Sequence, residues 1–381
     1  MKIATITCHD VYNYGASLQA YALQHYLESI GHNCQIIDYK PDYLSKHFKL
    51  TIGSEKFGRM GLNWAYVLAK LPSRLLALPR KRAFDAFTRT YLKLSTQRYT
   101  SNDELKTNLP DADLFIAGSD QIWNTTFNNG TDPSFYLDFV PGSKYKVSYA
   151  ASFATDFLRK GSEAFVAAKL ANLNEISVRE ASGCTLARTM GFEAVQAVDP
   201  VFLLEKKHWL GLSESSAVRV NASIPYLLVY DFQESDAIKT LAIRIASQRK
   251  LAIYSISPSK LNYAKKNFIN IGPSDFLKLI KNARCVLSNS FHGTAFSIIF
   301  ENDFFVVNRE DGLNTRMRDF LSHLCLSDRM ISVESSDDIL KSYIDYSDVQ
   351  KIIINDTDKS KILIDNWLVK ADHKRTSCNE R

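Results

Sequence analysis

The side chains with most chemistry to offer sit at changes of hydrophobic period. Cys285 to Leu287 is a short apolar run that reads as a buried strand, and from Thr294 onward Ala295, Phe296, Ile298 and Ile299 recur at helical spacing. Between them lies Ser288-Asn-Ser-Phe-His-Gly293. A strand-to-helix loop of an α/β unit is where ligands bind, and the following helix amino terminus attracts anions. Imidazole exchanges a proton near neutral pH, which makes His292 the leading candidate for acid or base work. Ser288, Ser290 and Thr294 can offer hydroxyls, Gly293 lets the backbone come close to a ligand, and Phe291 adjoins the histidine. The plain alternative is a helix cap followed by an ordinary loop histidine.

A second candidate ends the short strand Asn174-Glu-Ile-Ser-Val-Arg-Glu180. The delocalised fork of Arg179 suits a carboxylate or phosphate. Its structural alternative is an ion pair with Glu180 or Asp199. Arg309, Arg316 and Arg318, after the strand Phe304-Phe-Val-Val307, supply further cations.

A third group has the residue types that grip sugars. In Asp113-Leu-Phe-Ile-Ala-Gly-Ser-Asp-Gln-Ile-Trp-Asn124 a buried strand leads into Asp120, Gln121, Trp123 and Asn124, which combine an aromatic face with amide and carboxylate groups. Trp123 could equally anchor packing. After the first strand, Asn13, Tyr14, Gly15 and Gln19 form a polar lip able to hold a hydroxylated ligand, or simply a turn and helix cap.

The elements that must position these groups alternate strand and helix. Ile3 to Thr7, a polar loop, a helix stopped at Gly31 and the strand Cys34 to Tyr39 make an opening βαβ unit without a Gly-x-Gly-x-x-Gly fingerprint. A second alternation begins at Pro225-Tyr-Leu-Leu-Val-Tyr230, and a helical stretch closes the chain from about Asp348. The spacing predicts an α/β protein of two Rossmann-like domains facing across a cleft, GT-B-like. The expected boundaries are 1–212 with a helical insertion at about 46–99, then 213–345, then a closing helix and tail at 346–381 packing back on the first domain. Within the insertion, Arg74, Arg80, Lys81, Arg82 and Arg89 interleave with Leu75, Leu76, Leu78, Phe84 and Phe87. That pattern fits a basic helix lying on an anionic bilayer, or a helical pair covering the first domain with a solvated basic face.

A length of 381 residues suits two domains, and 45% hydrophobic with 23% charged residues is the composition of a globular protein. A net charge of +6 is a mild bias that favours an anionic ligand, without the basic runs of a nucleic-acid binder. The 6 cysteines are scattered with no Cys-x-x-Cys, so neither zinc nor a redox motif is expected, and no metal cluster is visible. Met1 to Thr7 is too short for a signal peptide and no apolar run approaches membrane-spanning length, so a cytoplasmic enzyme is expected.

Asn13-Tyr-Gly-Ala-Ser-Leu-Gln-Ala-Tyr-Ala-Leu23, Ala117-Gly-Ser-Asp-Gln-Ile-Trp123, Ser177-Val-Arg-Glu180, Val198-Asp-Pro-Val201 and Ser288-Asn-Ser-Phe-His-Gly293 occur in this order and together resemble the polysaccharide pyruvyl transferase family. The resemblance runs from about Ile3 to about Arg329. It implies transfer of pyruvate from phosphoenolpyruvate onto sugar hydroxyls as a ketal, in bacterial capsule, exopolysaccharide or cell-wall glycan biosynthesis. The implied catalytic residues are His292 and Arg179. The donor set is Arg179, Ser288, Ser290, Phe291, His292, Gly293 and Thr294 with Arg309 and Arg316, and the acceptor set is Asn13, Tyr14, Gly15, Gln19, Asp120, Gln121, Trp123 and Asn124. No cofactor beyond the donor substrate is implied; the acceptor sugar is expected to be lipid-linked, with peripheral contact at the inner membrane surface and no nucleic acid. The chain departs from the family where arginine and leucine often precede His-Gly, since Ser290 and Phe291 stand there. Arg309, Arg316 or Arg318 is then the substitute cation. The rival on the same architecture is a nucleotide-sugar glycosyltransferase.

Overall fold

Each apolar run that ends in a polar loop forms a parallel strand, because the helices that follow cover both sheet faces. The computed structural model describes residues 1–44, 63–257, 259–308 and 315–379. In the first half, β1 (Lys2–Ile6), β2 (Asn33–Tyr39), β3 (Leu94–Tyr99), β4 (Leu114–Ala117) and β5 (Tyr145–Ser148) pair in parallel in the order β3-β2-β1-β4-β5. The short pair β6 (Ser177–Val178) and β7 (Val195–Gln196) extends this edge through bridges such as Ala151 to Val178. In the second half, β8 (Tyr226–Tyr230), β9 (Ala252–Ser255), β10 (Lys266–Asn267), β11 (Cys285–Ser288), β12 (Asp303–Val307) and β13 (Met330–Ile331) pair in parallel in the order β10-β9-β8-β11-β12-β13.

Strand order reverses between β1 and β4 in one sheet and between β8 and β11 in the other. Helices leave opposite faces at such a point, which opens a crevice at the strand carboxyl ends. The loops after β1, β4 and β11 carry Asn13, Asp120 and His292, so topology places all three candidate stretches at crevices.

The halves share one apolar core. Tyr14, at the start of helix Tyr14–Ser29, stacks on Phe276 of the second half with ring centroids 4.8 Å apart, and Trp209 meets Phe296 edge-on at 4.9 Å. The described part of the expected insertion is the helix Asn63–Tyr91 followed by β3, a strand of the first sheet rather than helix; residues 45–62, where a second helix of a pair would fall, lie outside the described residues. Its Phe84 and Phe87 are buried, and Ala83 lies against Gly272 of the second half. The closing helix Tyr346–Asn379 begins on the second half, where the Tyr346 hydroxyl donates to Asn302 O at 2.5 Å. It ends on the first, burying Ile364, Trp367, Leu368 and Ala371.

Candidate active site

The loop after β11 is a closed set of local hydrogen bonds. Ser288 donates to Tyr230 O at 2.9 Å and accepts from Ser290 N at 2.9 Å. Ser290 caps helix Phe291–Phe300 by accepting from Gly293 N at 3.3 Å, and Thr294 donates to Ser290 O at 3.2 Å. A Cβ on Gly293 would stand 2.9 Å from Ser288 Oγ, so the glycine serves this turn. The hydroxyls expected to hold an anion are therefore spent on building the loop, and what the loop presents is Phe291 and His292.

Across the cleft, Arg179 leaves β6 and Asp199 follows β7. Arg179 Nη1 donates to Asp199 Oδ2 at 2.5 Å, and His292 Nε2 approaches the same oxygen at 3.4 Å. Asp199 Oδ1 accepts from Val201 N at 3.1 Å, which fixes the carboxylate as the cap of the turn Pro200–Phe202. Burial pushes the Asp199 carboxyl up, but His292 and Arg179 outweigh it and hold the group well below the usual carboxylate range. One side chain so joins the arginine of the first half to the histidine of the second.

Arg179 is ion-paired without being saturated. Its Nη2 lies 3.5 Å from Asp120 Oδ1, while buried Nε and Nη2 have no hydrogen-bond partner among the described residues. Its guanidinium sits 4.6 Å from the Phe291 ring centre, and that of Arg316 sits 5.0 Å from the same ring. With the Gln121 amide oxygen turned toward it, Arg316 donates to Gln121 from both terminal nitrogens, at 3.2 and 3.1 Å. Burial and then the like charge of Arg179 push Arg316 down to about 10. Two crowded cations beside a void favour an anion. Arg179, Arg316, Phe291 and Asp199 line a cavity of about 250 Å³, together with Phe320, Ile353 and Lys359. His292 lies behind Asp199 and is not part of that lining.

The remaining candidates divide. Gly15 touches the catalytic candidate, since a Cβ there would stand 1.9 Å from His292 Nδ1. Asp120 and Gln121 face the two arginines. Glycine is required just before them: Gly118 has φ +125, and a Cβ would lie 2.2 Å from Tyr149 O. Five sugar-gripping expectations are corrected by burial or prior engagement. Trp123 is fully buried, stacked on Tyr136 at 5.2 Å with its indole donating to Phe135 O at 3.0 Å. Tyr14 is in the shared core. Gln19 donates to Thr7 Oγ1 at 2.9 Å and accepts from Ser119 N at 3.1 Å, tying two loops together. Asn124 accepts from Thr126 N at 3.0 Å within its own turn. Asn13 caps the first helix through Gly15 N and Ala16 N at 2.9 and 3.3 Å. Arg309 lies outside the described residues, and Arg318 is exposed.

Glu180, the other acid beside Arg179, is engaged by Phe153 N and Ala154 N at 2.8 and 3.0 Å. Asp199 is the group that sequence reasoning passed over as a site residue, weighing it only as a structural partner of Arg179. Its signal was present: an acid followed by Pro200 at a strand end. Among the described residues no three His, Cys, Asp or Glu side chains gather as a metal site, and no helix is long and apolar enough to cross a membrane.

Solved structures of similar shape include an E. coli protein titled trehalose-6-phosphate bound with UDP-2-fluoro glucose, with TM-score 0.50 at 8% identity, covering 96% of this chain and 99% of that one. A UDP-N-acetylglucosamine 2-epimerase from Rickettsia bellii gives TM-score 0.48 at 13% identity, covering 98% and 97%. With the two facing parallel sheets, the fold is GT-B-like. No curated protein sequence matches the chain. The polysaccharide pyruvyl transferase family model matches residues 13–311, which take in every site group from Asn13 to His292. With most of its length covered by that model, the chain belongs to the polysaccharide pyruvyl transferase family.

Proposed function

We propose that this enzyme transfers the enolpyruvyl group of phosphoenolpyruvate to two hydroxyls of one sugar, giving a pyruvate ketal and inorganic phosphate, on the cytoplasmic side of bacterial capsule, exopolysaccharide or cell-wall glycan assembly. The observation that carries this reading is the pair Arg179 and Arg316, both beside the Phe291 ring and lining one cavity, with Arg179 joined through Asp199 to His292. A small dianionic acid with carboxylate and phosphate groups needs two cationic holders, and unbonded donors on Arg179 are available to one of them. Arg316 supports the reading further. It supplies from a neighbouring helix the cation that Ser290 and Phe291 do not.

In the proposed reaction His292, supported by ionised Asp199, delivers a proton to the methylene carbon of phosphoenolpyruvate. The adjacent carbon becomes oxocarbenium-like and takes the first sugar hydroxyl, whose proton passes to the now neutral His292. The carbon–oxygen bond to phosphate then breaks, and the second hydroxyl closes the ring as its proton passes to the departing phosphate. Nε2 of His292 is turned toward Asp199 and its Nδ1 packs against Gly15, so the ring is held at the seam between the two halves. General acid catalysis of this kind contributes on the order of 10²–10⁴-fold.

The test is phosphate release from phosphoenolpyruvate with galactosyl and N-acetylhexosaminyl acceptors, soluble and lipid-linked, with mass spectrometry of the product. Phosphate and a product heavier by one pyruvyl group are expected, both abolished in a folded His292→Ala protein. Release of a nucleoside diphosphate from a nucleotide sugar, with phosphoenolpyruvate untouched, would assign the chain to glycosyl transfer instead.

A further inference from the structure

The long helix Asn63–Tyr91 has an outer face that the fold does not use. At its carboxyl-terminal half Phe84, Phe87 and Tyr91 turn inward. Half a turn around the cylinder, 64, 68, 71, 75 and 78 recur at steps of four and three, so Trp64, Leu68, Leu71, Leu75 and Leu78 share one stripe directed away from the core. Trp64 is 66%, Leu68 58% and Leu75 48% exposed. Scattered exposed apolar residues are ordinary, whereas an aligned set on one helix marks an interaction surface.

Charge decides what that surface fits. The stripe continues into Arg82 and Arg89, both exposed and without an ion-pair partner among the described residues. Of the helix's other cations Lys70 is exposed, whereas Arg74 is buried, Arg80 turns inward over Tyr14 and Phe84, and Lys81 pairs with Asp85, the helix's only acid. An apolar row continued by exposed cations complements the interface of a bilayer with anionic headgroups, and the helix is not apolar enough to span one. We propose that this helix lies on an anionic membrane surface, seating Trp64, Leu68 and Leu75 among the acyl chains and Arg82 and Arg89 among the headgroups.

The orientation has a consequence that rests on the proposed function. Lys81, Asp85 and Arg89 also wall a cavity of about 560 Å³ at the carboxyl ends of β1, β2 and β3, shared with Tyr12 and Lys40. A docked helix would hold that cavity at the lipid–water boundary, where the sugar of a lipid-linked acceptor is presented.

The full-length protein should float with phosphatidylcholine vesicles that contain phosphatidylglycerol and not with phosphatidylcholine alone, and added salt should weaken it. Trp64→Ser/Leu68→Ser/Leu75→Ser should abolish flotation, and Arg82→Glu/Arg89→Glu should weaken it by at least about tenfold. The apolar triple variant should release phosphate with a soluble acceptor as the wild type does, which separates failure of docking from failure of the proposed reaction. Absence of wild-type flotation, or flotation unchanged in the apolar triple variant, would overturn the proposal. So would light scattering that shows a wild-type dimer split by that variant, since a second copy would then cover the face.

Discussion

Gly15 and His292 show how much of this site depends on a missing atom. The glycine lies at the start of the first helix, close enough that a methyl group would stand 1.9 Å from His292 Nδ1. No rotamer relieves an overlap that deep, so the imidazole must move away from Asp199 or the helix must shift. Gly15→Ala is therefore expected to lower kcat by on the order of 10²-fold, the scale of a misplaced general acid. The KM for phosphoenolpyruvate should change little, because Arg179 and Arg316 do not touch this position. Steady-state kinetics on protein with an unaltered circular dichroism spectrum would check this, and a wild-type kcat would remove Gly15 from the positioning of the ring.

Among the elements, the strand ends were the readable part. Apolar runs ending in polar loops gave β1, β4, β8 and β11, and with them the crevices where the topology switches. Residue type did not reveal how each polar group at those ends is used. Ser288, Ser290 and Asn13 satisfy backbone donors within a few residues, a short-range competition that leaves the same composition as a ligand-binding loop. Trp123 reads identically whether it faces a sugar or a core. Asp199 required knowing that residues 179, 199 and 292 meet in space. The closing helix was legible as an amphipathic stretch, and its anchor can be weighed: Trp367 is 1% exposed and its indole donates to Glu175 Oε2 at 3.0 Å. Trp367→Ala is expected to cost about 3–5 kcal/mol through the cavity and the lost donor. Limited proteolysis should then cut first within Tyr346–Asn379, whereas a digestion pattern equal to the wild type would mean that the helix is held mainly at its other end.

At the level of the whole molecule the two halves are joined by an extended apolar core, and at the site the connection is ionic. Asp199 is fully buried between Arg179 of its own half and His292 of the other, with Asp120 the nearest further acid on Arg179. Breaking a buried pair by removing one partner strands the remaining charge, a loss of about 3–5 kcal/mol. Asp199→Asn should thus lower the thermal midpoint at neutral pH. The acid limb gives a sharper reading. A carboxyl whose folded pKa lies below its ordinary 3.8 contributes stability that is complete above that value and drains away as pH falls toward the folded one. Asp38, held to about 2 by His9, Lys40 and Arg98 against its own burial, drains in the same window in both proteins and cancels from the comparison. The stability gap between wild type and Asp199→Asn should therefore narrow by roughly 1 kcal/mol between about pH 6 and about pH 3. Thermal unfolding across that range would measure it. A gap that stays constant or widens toward acid would mean that Asp199 is not held ionised between the two halves, and the link from Arg179 to His292 would fail with it.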